Sequence, residues 1–185
     1  MAEYLEYDGH ELHWRNPRDG QPAASYKTTS GLITTSQDYQ NTTYQCTPEM
    51  GPIPNGNYKL KLWIDPNPAQ DDGTGRCALK PSWKIQTIPR GATAGSCEPF
   101  WANWGNKRVR FKPADDATRN RCSPRRGGFY LHDSTKGFSH GCIEVEPVFF
   151  FRLSNYAGRG ISNELSLKVN YVYSDTYGGT FVPTP

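Results

Sequence analysis

The strongest constraint on this chain is its broken rhythm of short β-like runs. Seven segments alternate apolar with polar residues or are rich in β-branched and aromatic ones: 3–7, 11–15, 58–64, 83–88, 108–111, 128–132 and 165–173. Between them the 18 Gly and 15 Pro of the 185 residues fall without period, so long helices and repeats are excluded and many short elements joined by turns are predicted. Asp8-Gly9 between the first two runs suits a tight hairpin. One convincing helix is predicted, over EPVFFFRLSNYAGRG, with Pro147 near its start and Gly158 at its C′ position. The expected fold is mainly β, a sandwich or barrel with one or two short helices, in a single domain over 1–185.

No run approaches the roughly 18 apolar residues that span a bilayer, so membrane insertion is not expected. The first residues, MAEYLEYDGHELHW, have neither a basic nor an apolar leader region, which predicts no Sec-type signal. The formal net charge of +3 is mild, and nucleic acid is not an expected partner. Five cysteines occur with no zinc-like spacing, so no metal site is expected. Cys46, Cys77, Cys97 and Cys122 lie in polar, loop-like surroundings, which favours two disulfides with three possible connectivities over four free thiols. An oxidising working compartment and a missing leader pull in opposite directions. His10 and His13 have no evident metal-binding partners and read as surface residues. Trp101 and Trp104 read as core or rim pieces of a β domain, with carbohydrate stacking as the functional alternative.

Chemistry is densest in GGFYLHDSTKGFSHGCIEV, residues 127–145. A strand delivers His132 at its end, a polar loop returns to Ser139-His140-Gly141-Cys142, and the chain then enters IEV. Cysteine catalysis needs a thiolate, a base to take its proton and donors for an oxyanion, and this stretch contains candidates for all three. Cys142 is the candidate nucleophile and His132, ten residues upstream, the candidate base. Gly141 leaves the sulfur accessible, and the amides of Gly141 and Cys142 are candidate oxyanion donors. Ser139 and His140 are expected to shape the pocket. Arg125 and Arg126 are basic residues that suit a peptide carboxylate, with a solvated turn as the plainer reading. Tyr130 and Glu144 are further candidate substrate contacts, Glu144 being read as a structural or pocket-lining carboxylate.

SHGC preceded by a strand-borne His resembles the signature of the L,D-transpeptidase (YkuD-type) family. YDGHELHW, SYKTTSG, GPIPNGNYKL, WGNKRVR and RGGFYLHDSTKGFSHGCIEV together look like the type VI secretion effectors that carry such a domain. The short His-to-Cys interval and Glu144 two positions after the Cys, where housekeeping enzymes usually have Arg or Asn, favour that subgroup. The resemblance implies attack by Cys142 on a peptidoglycan stem tetrapeptide, loss or exchange of terminal D-Ala through a thioester, and no cofactor. It also implies that the backbone carbonyl of Asp133 holds the His132 tautomer. An effector of this kind is expected to be delivered by a secretion apparatus into the periplasm of a target bacterium, and to have a cognate immunity protein. The alternatives are a papain-like or NlpC/P60-like endopeptidase, which the His-before-Cys order disfavours, and a non-catalytic wall-binding module.

Overall fold

The computed structural model describes residues 1–184. Nine strands are joined in one sheet: β1 (Tyr4–Tyr7), β2 (Glu11–Arg15), β3 (Ala24–Ser30), β4 (Gly56–Lys61), β5 (Gln86–Thr87), β6 (Lys107–Pro113), β7 (Phe129–His132), β8 (Ile143–Val145) and β9 (Glu164–Val169). Their order is β4-β9-β1-β2-β3-β8-β7-β6, closed by a direct β4–β6 pairing into an eight-stranded barrel with β5 appended to β6. Closure leaves the long strands without free edges. Most neighbours are antiparallel; β1–β9 and β7–β8 are parallel.

Alternation along the strands fills the barrel and at the same time dresses its outside. Leu12 and Trp14 of β2, Val109 and Phe111 of β6, and Phe129 and Leu131 of β7 all belong to the central buried cluster. The residues that alternate with them on β6 and β7, Arg108, Arg110, Tyr130 and His132, therefore face outward. Three α-helices accompany the barrel: α1 (Glu98–Trp101), α2 (Asp116–Arg119) and α3 (Val148–Gly158). α3 sets Phe149 against Trp14 and Tyr26, with centroids 5.9 and 5.3 Å apart, and adds Phe150, Leu153 and Tyr156 to the same core. Each such side chain contributes roughly 1.5–3 kcal/mol when fully buried. Arg152 of α3 is held over Trp14 at 4.5 Å and paired with Asp19 at 2.7 Å. Among the described residues, no helix is long and apolar enough to cross a membrane.

A second, smaller cluster of Ala69, Leu79, Ile88, Ala94, Cys97 and Trp101 organises the long connection between β4 and β6. The Cys77–Cys97 disulfide staples it, and Trp101 Nε1 donates to the Cys77 carbonyl at 2.7 Å. The other disulfide joins Cys46 to Cys122. The structure thus selects one of the three connectivities open to the sequence.

Several boundaries differ from expectation for identifiable reasons. The hairpin at Asp8-Gly9 is present, with Gly9 at φ +108° and Asp8 Oδ1 accepting from the amides of His10 and Glu11. α3 starts after Pro147, which is its N-cap, and Gly160 at φ +65°, not Gly158, takes the left-handed position past its end. β3 has no counterpart in the sequence reading, because its Thr28-Thr29-Ser30 end is polar yet fully buried. Those groups are tied to the C-terminal segment by bonds such as Thr176 Oγ1 to the Ser30 carbonyl at 2.6 Å. His10 and His13 each have an acidic partner that spacing did not reveal, Asp175 at 2.8 Å and Asp8 at 2.7 Å.

Candidate active site

β7 and β8 run parallel in the register Leu131↔Ile143 and His132↔Glu144. Side chains paired across such a ladder share a face, so His132 and Glu144 point outward together and Cys142, two residues before Glu144, shares that face. The loop between the strands brings the chain back with Gly137 at φ +78° and Gly141 at φ +99°. At Gly141 the positive φ favours glycine, and a Cβ there would also displace the Arg126 guanidinium from its place against the turn. Ser139 braces the turn: its Oγ donates to the Cys142 carbonyl at 2.5 Å and accepts from the Gly31 amide at 3.0 Å. Ser30 Oγ donates to the same carbonyl at 2.7 Å, fixing the Cys142 backbone to β3. The Gly141 and Cys142 amides take no part in the turn and loop hydrogen bonds among the described residues.

His132 and Cys142 open on one cleft of about 840 Å³ on the outer face of the barrel. Its walls are the disulfide-stapled connection on one side and the segments around Pro48 and Arg125 on the other. Tyr130, Ser139, His140, Gly141, Arg125 and Arg126 also line it. Two predicted site residues do not. Asp133 faces away, its Oδ1 accepting from the Asn106 and Lys107 amides at 2.6 and 2.8 Å. Glu144 is 0% exposed and accepts from the Lys136 and Gly137 amides, which fits its reading as a structural carboxylate rather than as a substrate contact. Arg126 is not a solvated turn residue either, since its guanidinium donates to the carbonyls of Gln45, Pro52 and Gly51 at 2.7, 2.6 and 3.2 Å.

The residue that sequence reading passed over is Arg108. It is 2% exposed, lines the cleft, and packs against the touching rings of Tyr130 and Trp104 with its guanidinium carbon 4.3 and 4.5 Å from their centroids. Gln86 Oε1 and the Lys80 carbonyl accept from it at 2.7 and 3.0 Å. The signal was present in RVRF: alternation with the core residues Val109 and Phe111 sets Arg108 and Arg110 together on the outer face. The Arg108↔His132 pairing of β6 with β7 then brings it beside the imidazole.

No family model matches the chain, and no curated protein matches it.

What the arrangement can do follows from its charge states. Burial pushes the Cys142 thiol up to about 11, against the opposing pull of the Tyr130 amide and of Arg108 and Arg126. Burial also drives the His132 imidazole down to about 3, reinforced by Arg108 and His140 and resisted by the Trp104 carbonyl. The resting pair is therefore neutral thiol and neutral imidazole, with Sγ directed to the Gly128 carbonyl 4.0 Å away. Such a pair reacts by moving a proton as the new bond forms. Alkylation of Cys142 by iodoacetamide, followed by intact mass, is accordingly expected to keep accelerating with pH up to about 11. A plateau around neutrality would instead reveal a preformed thiolate–imidazolium pair.

Proposed function

We propose that the protein is a peptidoglycan-modifying cysteine enzyme, an L,D-transpeptidase or L,D-carboxypeptidase acting on stem tetrapeptides. The observation that carries this reading is that His132, at the end of β7, and Cys142, immediately before the parallel strand β8, open into one cleft rich in arginine. Five arginines line the cleft, Arg76, Arg108, Arg110, Arg125 and Arg126, against the single carboxylate of Glu49. That balance suits a peptide bearing several carboxylates. The resemblance of residues 126–145 to the family signature supports the same assignment.

In this mechanism Cys142 Sγ bonds to the carbonyl carbon of the third stem residue while its proton passes to His132. The oxyanion that forms meets the Gly141 and Cys142 amides. Collapse breaks the bond to D-Ala, whose nitrogen takes the proton from His132, and leaves a thioester. Water then releases the shortened peptide; an amine gives exchange or a crosslink. A substrate carboxylate near Arg108 would offset the charge that helps hold the imidazole neutral, so binding itself would make His132 a better base.

The two disulfides fit an oxidising working compartment, which agrees with action in the periplasm of a target bacterium after delivery by a secretion apparatus. A cognate immunity protein in the producing cell belongs to the same reading. Incubation with a disaccharide tetrapeptide, followed by mass spectrometry, is expected to show loss of D-Ala or its exchange for an added D-amino acid. Cleavage between the second and third stem residues would move the assignment to an endopeptidase, and unchanged substrate would overturn both.

A further inference from the structure

The Ser134 hydroxyl stands between the imidazole and a buried carboxylate. Its Oγ is 3.1 Å from His132 Nδ1, and it donates to Oε2 of Glu144. A hydroxyl has one proton to give. With that proton committed to the carboxylate, Oγ meets the ring as an acceptor, so Nδ1 carries the hydrogen and the lone pair of the neutral ring is left on Nε2.

The surroundings of Glu144 fit the ionised form. The amides of Lys136 and Gly137 donate to its two oxygens at 3.0 and 2.9 Å, and the hydroxyls of Ser134 and Thr180 complete the set. Amides can only donate, so half of this shell has no use for a carboxyl proton. Burial holds the Glu144 carboxyl above the usual carboxylate range, and the four donors offset that in part. Among the described residues no Lys or Arg forms an ion pair with it. The cation within reach is the imidazolium that exists only after His132 has taken a proton.

We propose that Glu144, acting through Ser134, is a positioning residue for His132: it holds the imidazole in the Nδ1–H tautomer and supplies the counter-charge once Nε2 is protonated. This rests on the reading of His132 as the base for Cys142, and it replaces the Asp133 carbonyl in the third-member role. The other groups facing the ring act differently. Arg108 from β6 and His140 from the loop both oppose a positive imidazole, the Trp104 carbonyl favours one, Cys142 supplies the proton, and the Trp104 indole meets the ring edge-on at 5.5 Å. Glu144 is thus the buried anion that works against Arg108.

Long-range proton–nitrogen NMR on labelled protein reads the His132 tautomer directly, and the alkylation profile of Cys142 reads its consequence. The wild type is expected to be Nδ1–H. In Glu144→Gln the carboxamide offers a donor to Ser134, which turns its own proton toward Nδ1; the ring hydrogen then moves to Nε2, and alkylation around neutrality falls by roughly tenfold or more. Ser134→Ala, which removes only the bridge, is expected to lose the tautomer preference and slow alkylation, with Ser134→Thr restoring both. Thermal unfolding of each variant separates these effects from misfolding, and the serine pair decides the matter if the glutamine variant does not fold. An Nε2–H ring in the wild type, or a Ser134→Ala protein with wild-type tautomer and alkylation, would overturn the proposal. These readouts need no wall substrate. Intact tetrapeptide alongside the expected tautomer would remove the substrate assignment and leave the relay standing, and D-Ala release alongside an Nε2–H ring would do the reverse.

Discussion

On the proposed mechanism, Cys142→Ala is expected to lower D-Ala release or exchange by roughly 10⁴-fold or more, because the substitution deletes the atom that would carry the thioester. The structure separates this loss from a folding defect. Cys142 is 8% exposed at the floor of the cleft, and what holds its backbone is the pair of hydroxyls from Ser30 and Ser139 on its carbonyl, which alanine keeps. His132→Ala should cost less, roughly 10²–10⁴-fold, since it removes the proton acceptor and leaves the sulfur. The neutral resting pair makes both losses sharper. With the thiol pushed up to about 11, little thiolate exists near neutrality without help, so the sulfur depends on the base during the reaction. Trapping a substrate-sized mass adduct on the wild type, and on neither variant, checks the assignment. Undiminished turnover by Cys142→Ala would move the chemistry elsewhere.

How much of this was legible in the sequence depended on the range of the interaction. β2 begins and ends where alternation in ELHWR begins and ends, and the Asp8-Gly9 turn follows from local chemistry. The strand that carries His132 and the return to Cys142 are also local, ten residues apart, and a mainly β chain with short helices is what those local patterns build. β3 was not legible, because the burial of Thr28, Thr29 and Ser30 is decided by a C-terminal segment more than a hundred residues away. The contact of Glu144 with Ser134 was hidden for a different reason: it spans only ten residues, but it depends on a strand register that alternation alone does not set. Only the parallel register that pairs it with His132, and the loop that folds Ser134 between them, bring a carboxylate two residues after the cysteine into contact with the imidazole through a hydroxyl. Arg108 lay in between: alternation gave its face, but the pairing of β6 with β7 gave its neighbour.

Reduction of both disulfides is expected to lower the melting temperature by roughly 15–25 °C, the second large effect the structure carries. The Cys46–Cys122 bridge closes a separation of 76 residues and the Cys77–Cys97 bridge one of 20. Loop-closure entropy assigns about 4 kcal/mol to the longer and about 3 kcal/mol to the shorter. Domains are stable by only about 5–15 kcal/mol in total, so the two together are a large share. Their positions predict different failures. Cys46 anchors the loop whose Gln45, Gly51 and Pro52 carbonyls hold Arg126 against Gly141, so a Cys46→Ser/Cys122→Ser protein should lose more stability and also loosen the surroundings of Cys142. Cys77 lines the cleft itself, and its bridge staples the small cluster around Trp101, so a Cys77→Ser/Cys97→Ser protein should keep more of its melting temperature while losing substrate affinity. Calorimetry with and without reductant, beside the kinetics of the two double variants, tests this; an unchanged melting temperature after complete reduction would sink it. On the proposed reading the consequence is spatial. The same chain would be loosened in a reducing cytosol and would gain its rigid cleft walls only after reaching an oxidising compartment, where its substrate lies.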